Sequence, residues 1–142
     1  MSALRLAAWM LLPLGFGCAT MQAADQASHL EMSLLSYARL MRWGQFEDAS
    51  HYHRALAGEA LGAQLPGRDV RVTAFDLGTP GAVRPATETE PAQALVPVVL
   101  SYYSDTSAVV VRQEYVQHWW FEAEGRHWFV ADPFPNLGGA TP

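Results

Sequence analysis

Five histidines, one cysteine and a run of tryptophans are the residues whose chemistry could set what this chain does. His51 and His53 lie two apart, so on a helix they point roughly 200° away from each other and cannot share an ion. His118 and His127 fall on two strands that a short hairpin would pair, where they could approach each other. His29 stands at a helix start. No His-Glu-x-x-His pattern, no Gly-x-Ser-x-Gly elbow, no Ser-His-Asp spacing and no glycine-rich phosphate loop occurs. The expectation is therefore no metal, no cofactor and no assigned catalytic residue. Trp119, Trp120, Phe121, Trp128, Phe129 and Phe134 crowd one stretch. Strand alternation puts Tyr115, Gln117, Trp119 and Phe121 on one face, and Val116, His118, Trp120 and Glu122 on the other. Trp128 and Val130 share a face of the next strand. Aromatics on both faces of a hairpin need cover on both, because large exposed apolar patches mark contacts.

The remaining composition narrows the classes. The chain has 142 residues, half of them apolar and 16% charged, which fits one globular domain and excludes a disordered or fibrous chain. All nine cations are Arg, set against 14 acidic residues, for a formal charge of −5. Scattered Arg on an acidic chain does not make a nucleic-acid binder. The one Cys excludes an internal disulfide and a Cys-rich zinc site.

That Cys sits at the end of a secretory signal. Ser2 to Arg5 form a short positive segment, and Leu6 to Phe16 an apolar one interrupted by Pro13 and Gly15. The apolar run is shorter than the roughly 20 residues of a spanning helix. Leu14-Gly15-Phe16-Gly17-Cys18-Ala19 resembles a bacterial lipobox, in which a small residue precedes a Cys that becomes diacylated. Gly17 and Cys18 match it; Gly15, where the pattern usually has Leu, and the bulky Phe16 depart from it. The resemblance implies lipidation at Cys18 and a membrane anchor. Ala19 after the Cys implies the periplasmic face of a Gram-negative outer membrane. The other reading is an ordinary signal cleaved after Ala19, giving a soluble periplasmic or secreted protein. The expected organisation is a signal over 1–17, a polar tether over 18–27, one domain over 28–134 and a loose tail over 135–142.

Within the domain, Ser28-His29-Leu30-Glu31 fits a capping box. Leu30, Leu34, Tyr37, Ala38 and Met41 follow at helical spacing, and Gly44 stops the helix. A second helix is expected from Gln45 to Leu56. Gly58, Gly62, Pro66 and Gly67 then break the chain. Strands are expected over 70–75, 96–103, 108–122 and 127–132. Pro97 should lie at a strand start or on an edge, and the long third strand should bend or carry a bulge. Helices followed by an antiparallel meander mean an α+β fold, with N-terminal helices packed on a curved four-stranded sheet that wraps a cone.

The helix break Arg42-Trp43-Gly44-Gln45-Phe46-Glu47-Asp48-Ala49, the long third strand and the ending Gly125-Arg126-His127-Trp128 together resemble the nuclear transport factor 2-like superfamily. The resemblance covers roughly residues 28–134. These motifs are structural, and only Glu59 to Leu65 is available for the family's third helix. The resemblance implies sheet-face dimers and, in its enzymes, an Asp, His or Tyr inside the cone. Tyr37, His53, Asp76, Tyr103 and His118 are the residues that could point inward. Asp76 reads better as a strand-end carboxylate and Asp132-Pro133 as a strand terminator. With Trp119, Trp120 and Trp128, the residues Tyr37, His53, Tyr103 and His118 are the ligand or interface candidates. The leading expectation is an exported, lipid-anchored, non-enzymatic envelope protein that binds a protein partner or an apolar small ligand. A homodimer through the sheet face is expected as one way to cover the aromatics. The alternatives are an isomerase or hydrolase using the cone, or an assembly subunit of an envelope or secretion machine.

Overall fold

A computed structural model describes residues 17–138; the expected signal segment, apart from Gly17, and the last four residues of the tail lie outside the described residues. Two helices, α1 (Gly17–Arg42) and α2 (Phe46–Ser50), precede four strands: β1 (Val70–Leu77), β2 (Gln93–Ser104), β3 (Val111–Glu122) and β4 (His127–Val130). The strands form one curled antiparallel sheet in the order β1-β2-β3-β4, and α1 lies across its concave face from β4 to β1. This is the α+β architecture that the order of patterns predicts. Where the structure differs, it differs at element ends, in the place of the bulge and in the position of Pro97.

The helix does not begin at the Ser28 capping box. It is already running at Cys18, and Ser28 is an exposed mid-helix residue. Cys18 to Ala27 is rich in Ala, Gln and Met, all good helix formers, and the far end of the sheet holds it. The Arg126 guanidinium bonds Asp25 at 2.6 Å, and the Trp128 indole N–H donates to the Gln26 carbonyl at 3.0 Å. The expected tether is thus a helix. Its C-terminus ends as predicted. Gly44 takes φ 69°, its N–H bonds the Met41 carbonyl, and the Gln45 N–H bonds that of Leu40. This paired arrangement needs a left-handed residue after the helix.

The second helix is a single turn. Beyond Ser50 the chain leaves the helix to lie beside β4: the Val130 N–H bonds the Tyr52 carbonyl, and the Arg54 N–H bonds that of Val130. Pairing with a sheet edge overrides the local helical period. Glu59 to Leu65 forms no helix.

The expected bulge lies in β1, not in β3. β2 and β3 pair in unbroken register from Gln93↔Trp120 to Tyr102↔Val111, whereas β1 slips between Val72 and Ala74. Pro97 lies inside β2, a central strand, rather than at an edge. It is tolerated because its carbonyl receives the Gly78 N–H just past the end of β1. In an extended residue N and C=O point the same way, so the missing donor falls where β1 has already ended. The tail is not loose up to Gly138. Leu137 is 1% exposed in the core, and Asn136 Oδ1 accepts the Gly138 N–H.

Candidate functional site

The concave face of the sheet carries a chain of polar side chains through an aromatic core. Inward alternation on β3 presents Gln117 and Trp119, α1 presents Tyr37, and the turn after α2 presents His53, all four buried. His53 Nδ1 lies 2.7 Å from the Asp132 backbone carbonyl. A carbonyl only accepts, so Nδ1 carries the ring proton and Nε2 has the lone pair. Nε2 therefore accepts from the Tyr37 hydroxyl at 2.9 Å. The Tyr37 oxygen in turn accepts from Gln117 Nε2 at 3.4 Å, and Gln117 Oε1 accepts from the Trp119 indole N–H at 3.1 Å. Each proton position follows from its neighbour. Rings enclose the chain: Trp119, Phe75 and Tyr52 stand edge-on to Tyr37, and Phe134 lies 5.1 Å from His53.

Burial fixes the protonation states of this chain. It pushes the Tyr37 phenol well above its ordinary pKa, helped by the neighbouring Tyr115, so Tyr37 stays a donor. Burial also lowers the His53 pKa, against the opposing pull of the Asp132 carbonyl and charge, so His53 stays a neutral imidazole near neutral pH. A general base needs a free lone pair facing a substrate proton. The only lone pair on His53 is already bonded to Tyr37.

The other candidates are not brought together here. Tyr103 and His118 lie on the convex face of the sheet, Tyr103 opposite Arg71 and His118 opposite Leu95. Asp76 is exposed on that face. None of the three points into the interior. Among the described residues His118 reaches the buried chain through Asp132, whose carboxylate accepts its backbone N–H at 2.6 Å and faces its Nδ1 at 3.0 Å. His118 and His127 do not meet: His127 pairs with Glu122, four residues and about 13 Å along β3 from His118. Among the described residues no group of three His, Cys, Asp or Glu could hold a metal ion.

Trp120 shows how the second aromatic face is covered. It points away from the core yet is 5% exposed. Its indole N–H donates to the Arg54 carbonyl at 2.8 Å, Phe129 lies 5.4 Å away, and the Arg54 guanidinium sits 4.6 Å over the Phe129 ring. The chain's own turn after α2 covers Trp120 on this face of the hairpin. Trp128 is a core residue bonded to α1. Cys18 is exposed on the first turn of α1.

Sequence reasoning missed three participants. Gln117 could have been found, because a polar residue flanked by inward-facing Tyr115 and Trp119 must have a buried partner. Asp132 carried only a turn signal. Tyr115 was placed on the correct face, but its hydroxyl is buried with no hydrogen-bond partner among the described residues. It lines a cleft of about 520 Å³ with Gln117, Asp132, Pro133 and Pro135. No family model, no curated protein and no solved structure matches this chain.

Proposed function

We propose that this chain is an exported envelope protein, lipid-anchored at Cys18, that acts as a non-enzymatic binding module for a protein partner. The observation that carries the reading is the closed interior. On the concave face Tyr37 and His53 are bonded to each other and to neighbours, Tyr102 is bonded by Gln113, and burial holds Tyr37, His53 and Tyr115 uncharged. A partner is left the convex face, where Leu95 is 50% and Val116 48% exposed beside Pro97. Cys18 supports the anchor by position, exposed at the helix start next to the small Gly17. No described helix is long and apolar enough to cross a membrane. Cys18→Ala should move the protein from the membrane to the soluble periplasmic fraction, and unchanged fractionation removes the anchor.

A second reading is favoured by Tyr115. Tyr115 lines the 520 Å³ cleft while its hydroxyl is buried beneath the surface with no partner among the described residues, so a mostly apolar small molecule with one hydrogen-bonding group would have to enter from the cleft to reach it. Native mass spectrometry of the protein taken from membranes separates the two. A retained small molecule, lost in Tyr115→Phe, replaces the protein-partner reading.

A further inference from the structure

The two margins of the sheet are finished differently. The outer side of β4 is covered by residues 52–54 of the same chain. The outer side of β1, eight residues long, has no strand beside it among the described residues. An uncovered edge presents a row of unpaired backbone groups, and proteins normally block it. The open groups can be identified. Gly78 N–H bonds the Pro97 carbonyl, and Asp105 N–H bonds that of Asp69. Counting in twos from these anchors, Arg71, Ala74 and Asp76 face β2. Val72, Phe75 and Leu77 turn their N–H and C=O outward. The outward set steps from Val72 to Phe75 because the bulge lies between them. Beside this edge runs a groove of about 700 Å³ whose other wall is α1, including Leu35, which is 63% exposed.

We propose that this edge is a self-association surface: two copies pair β1 with β1, antiparallel, about a two-fold axis between Thr73 and Ala74. The four-stranded sheet then continues into that of the second copy. Under this axis Val72 lies opposite Phe75 of the second copy, and Val70, whose N–H is already bonded to the Gly67 carbonyl and so offers only its C=O, lies opposite its Leu77. Outward-facing residues meet outward-facing residues, and the bulges of the two copies coincide. The same register sets Arg71 opposite Asp76 of the second copy, twice by symmetry. Both side chains are exposed on the convex face. Among the described residues Asp76 has no ion pair, and Arg71 has a 3.6 Å contact to the half-exposed Asp105 and a weaker attraction to Asp69. The alignment is isologous, as a two-fold dimer requires, and differs from a sheet-face dimer. It leaves Leu95 and Val116 open, and it stands whether or not Cys18 is lipidated.

Native mass spectrometry and sedimentation of the mature protein, purified from whichever fraction holds it and with mild detergent where that is the membrane, test the pairing. The wild type should be a dimer at micromolar concentration. Arg71→Asp alone and Asp76→Arg alone each set like charges opposite one another at both symmetric positions, and should weaken the dimer about tenfold or more. The double variant Arg71→Asp/Asp76→Arg restores the opposite pairs and should recover the wild-type dimer. Circular dichroism melts of all three variants should stay near the wild type, since these residues are at the surface. A monomeric wild type overturns the proposal. So does a dimer indifferent to the single reversals, or one that the double variant fails to restore.

Discussion

Tyr37→Phe is the most discriminating test of the buried polar chain. The Tyr37 ring is fully buried, and the change removes one oxygen while leaving the ring and its edge-on contacts with Trp119 and Phe75 in place. No apolar area is lost, so the effect reports hydrogen bonding alone. Two groups lose their partner: His53 Nε2, bonded at 2.9 Å, and one N–H of Gln117, bonded at 3.4 Å. A buried polar atom left unmatched costs about 1–3 kcal/mol, and the longer Gln117 bond contributes the smaller share. The expected loss is about 2 kcal/mol. For a domain of this size that lowers Tm by roughly 6–10 °C. Urea unfolding at pH 7.5 should show a lower midpoint with an unchanged slope, because the surface exposed on unfolding is the same. Tyr37→Phe within about 0.5 kcal/mol of the wild type would refute the hydrogen-bond chain. A more stable variant would show that the hydroxyl is a strained group held for function.

Three further outcomes follow from the same packing. His53 has a folded pKa below its ordinary 6.5, so as pH falls the unfolded chain takes up the proton first. Its contribution is fully present above about pH 6.5 and is lost as pH falls below that, with a slope of up to about 1.4 kcal/mol per pH unit; urea midpoints flat from pH 7.5 to 5 would contradict a buried neutral His53. Trp120→Ala and Trp128→Ala should both destabilise the fold, each by about 3–5 kcal/mol, although the two rings lie on opposite faces; an unchanged melt for Trp120→Ala would mean that the Arg54 turn does not cover it. Leu137→Ala should cost about 2–3 kcal/mol in chemical denaturation, whereas a loose tail would show no change.

The fold class was legible because it rests on periodicity. The α1 stripe of Leu30, Leu34, Tyr37 and Met41 is the buried face of the helix, and the inward alternation of Gln117, Trp119 and Phe121 holds along β3. Gly44 ends the helix for the conformational reason that makes it recognisable in sequence. Among the site candidates, Tyr37, His53 and Trp119 do converge, since inward positions on neighbouring elements must meet in one core. Tyr103 and His118 were ambiguous because a one-residue slip in strand register exchanges the two faces. Which nitrogen of His53 is protonated, and that its lone pair is occupied, is set by Asp132 and Tyr37, which lie 79 and 16 residues away.

Several of the misplaced boundaries share a cause, the hairpin of β3 and β4. Arg126 and Trp128 hold the first turns of α1 and make a helix of the expected tether. Val130 draws Tyr52 and Arg54 into pairing and cuts α2 to one turn. That same turn brings the Arg54 carbonyl over Trp120 and closes the outer aromatic face. Asp132, just past β4, orients His53 from its backbone and His118 from its side chain. Each of these contacts joins segments far apart in the chain, so no local window contains both partners. One margin of the sheet is thereby closed by the chain itself, whereas among the described residues no such segment lies beside β1, which is why that margin is the one proposed to pair with a second copy.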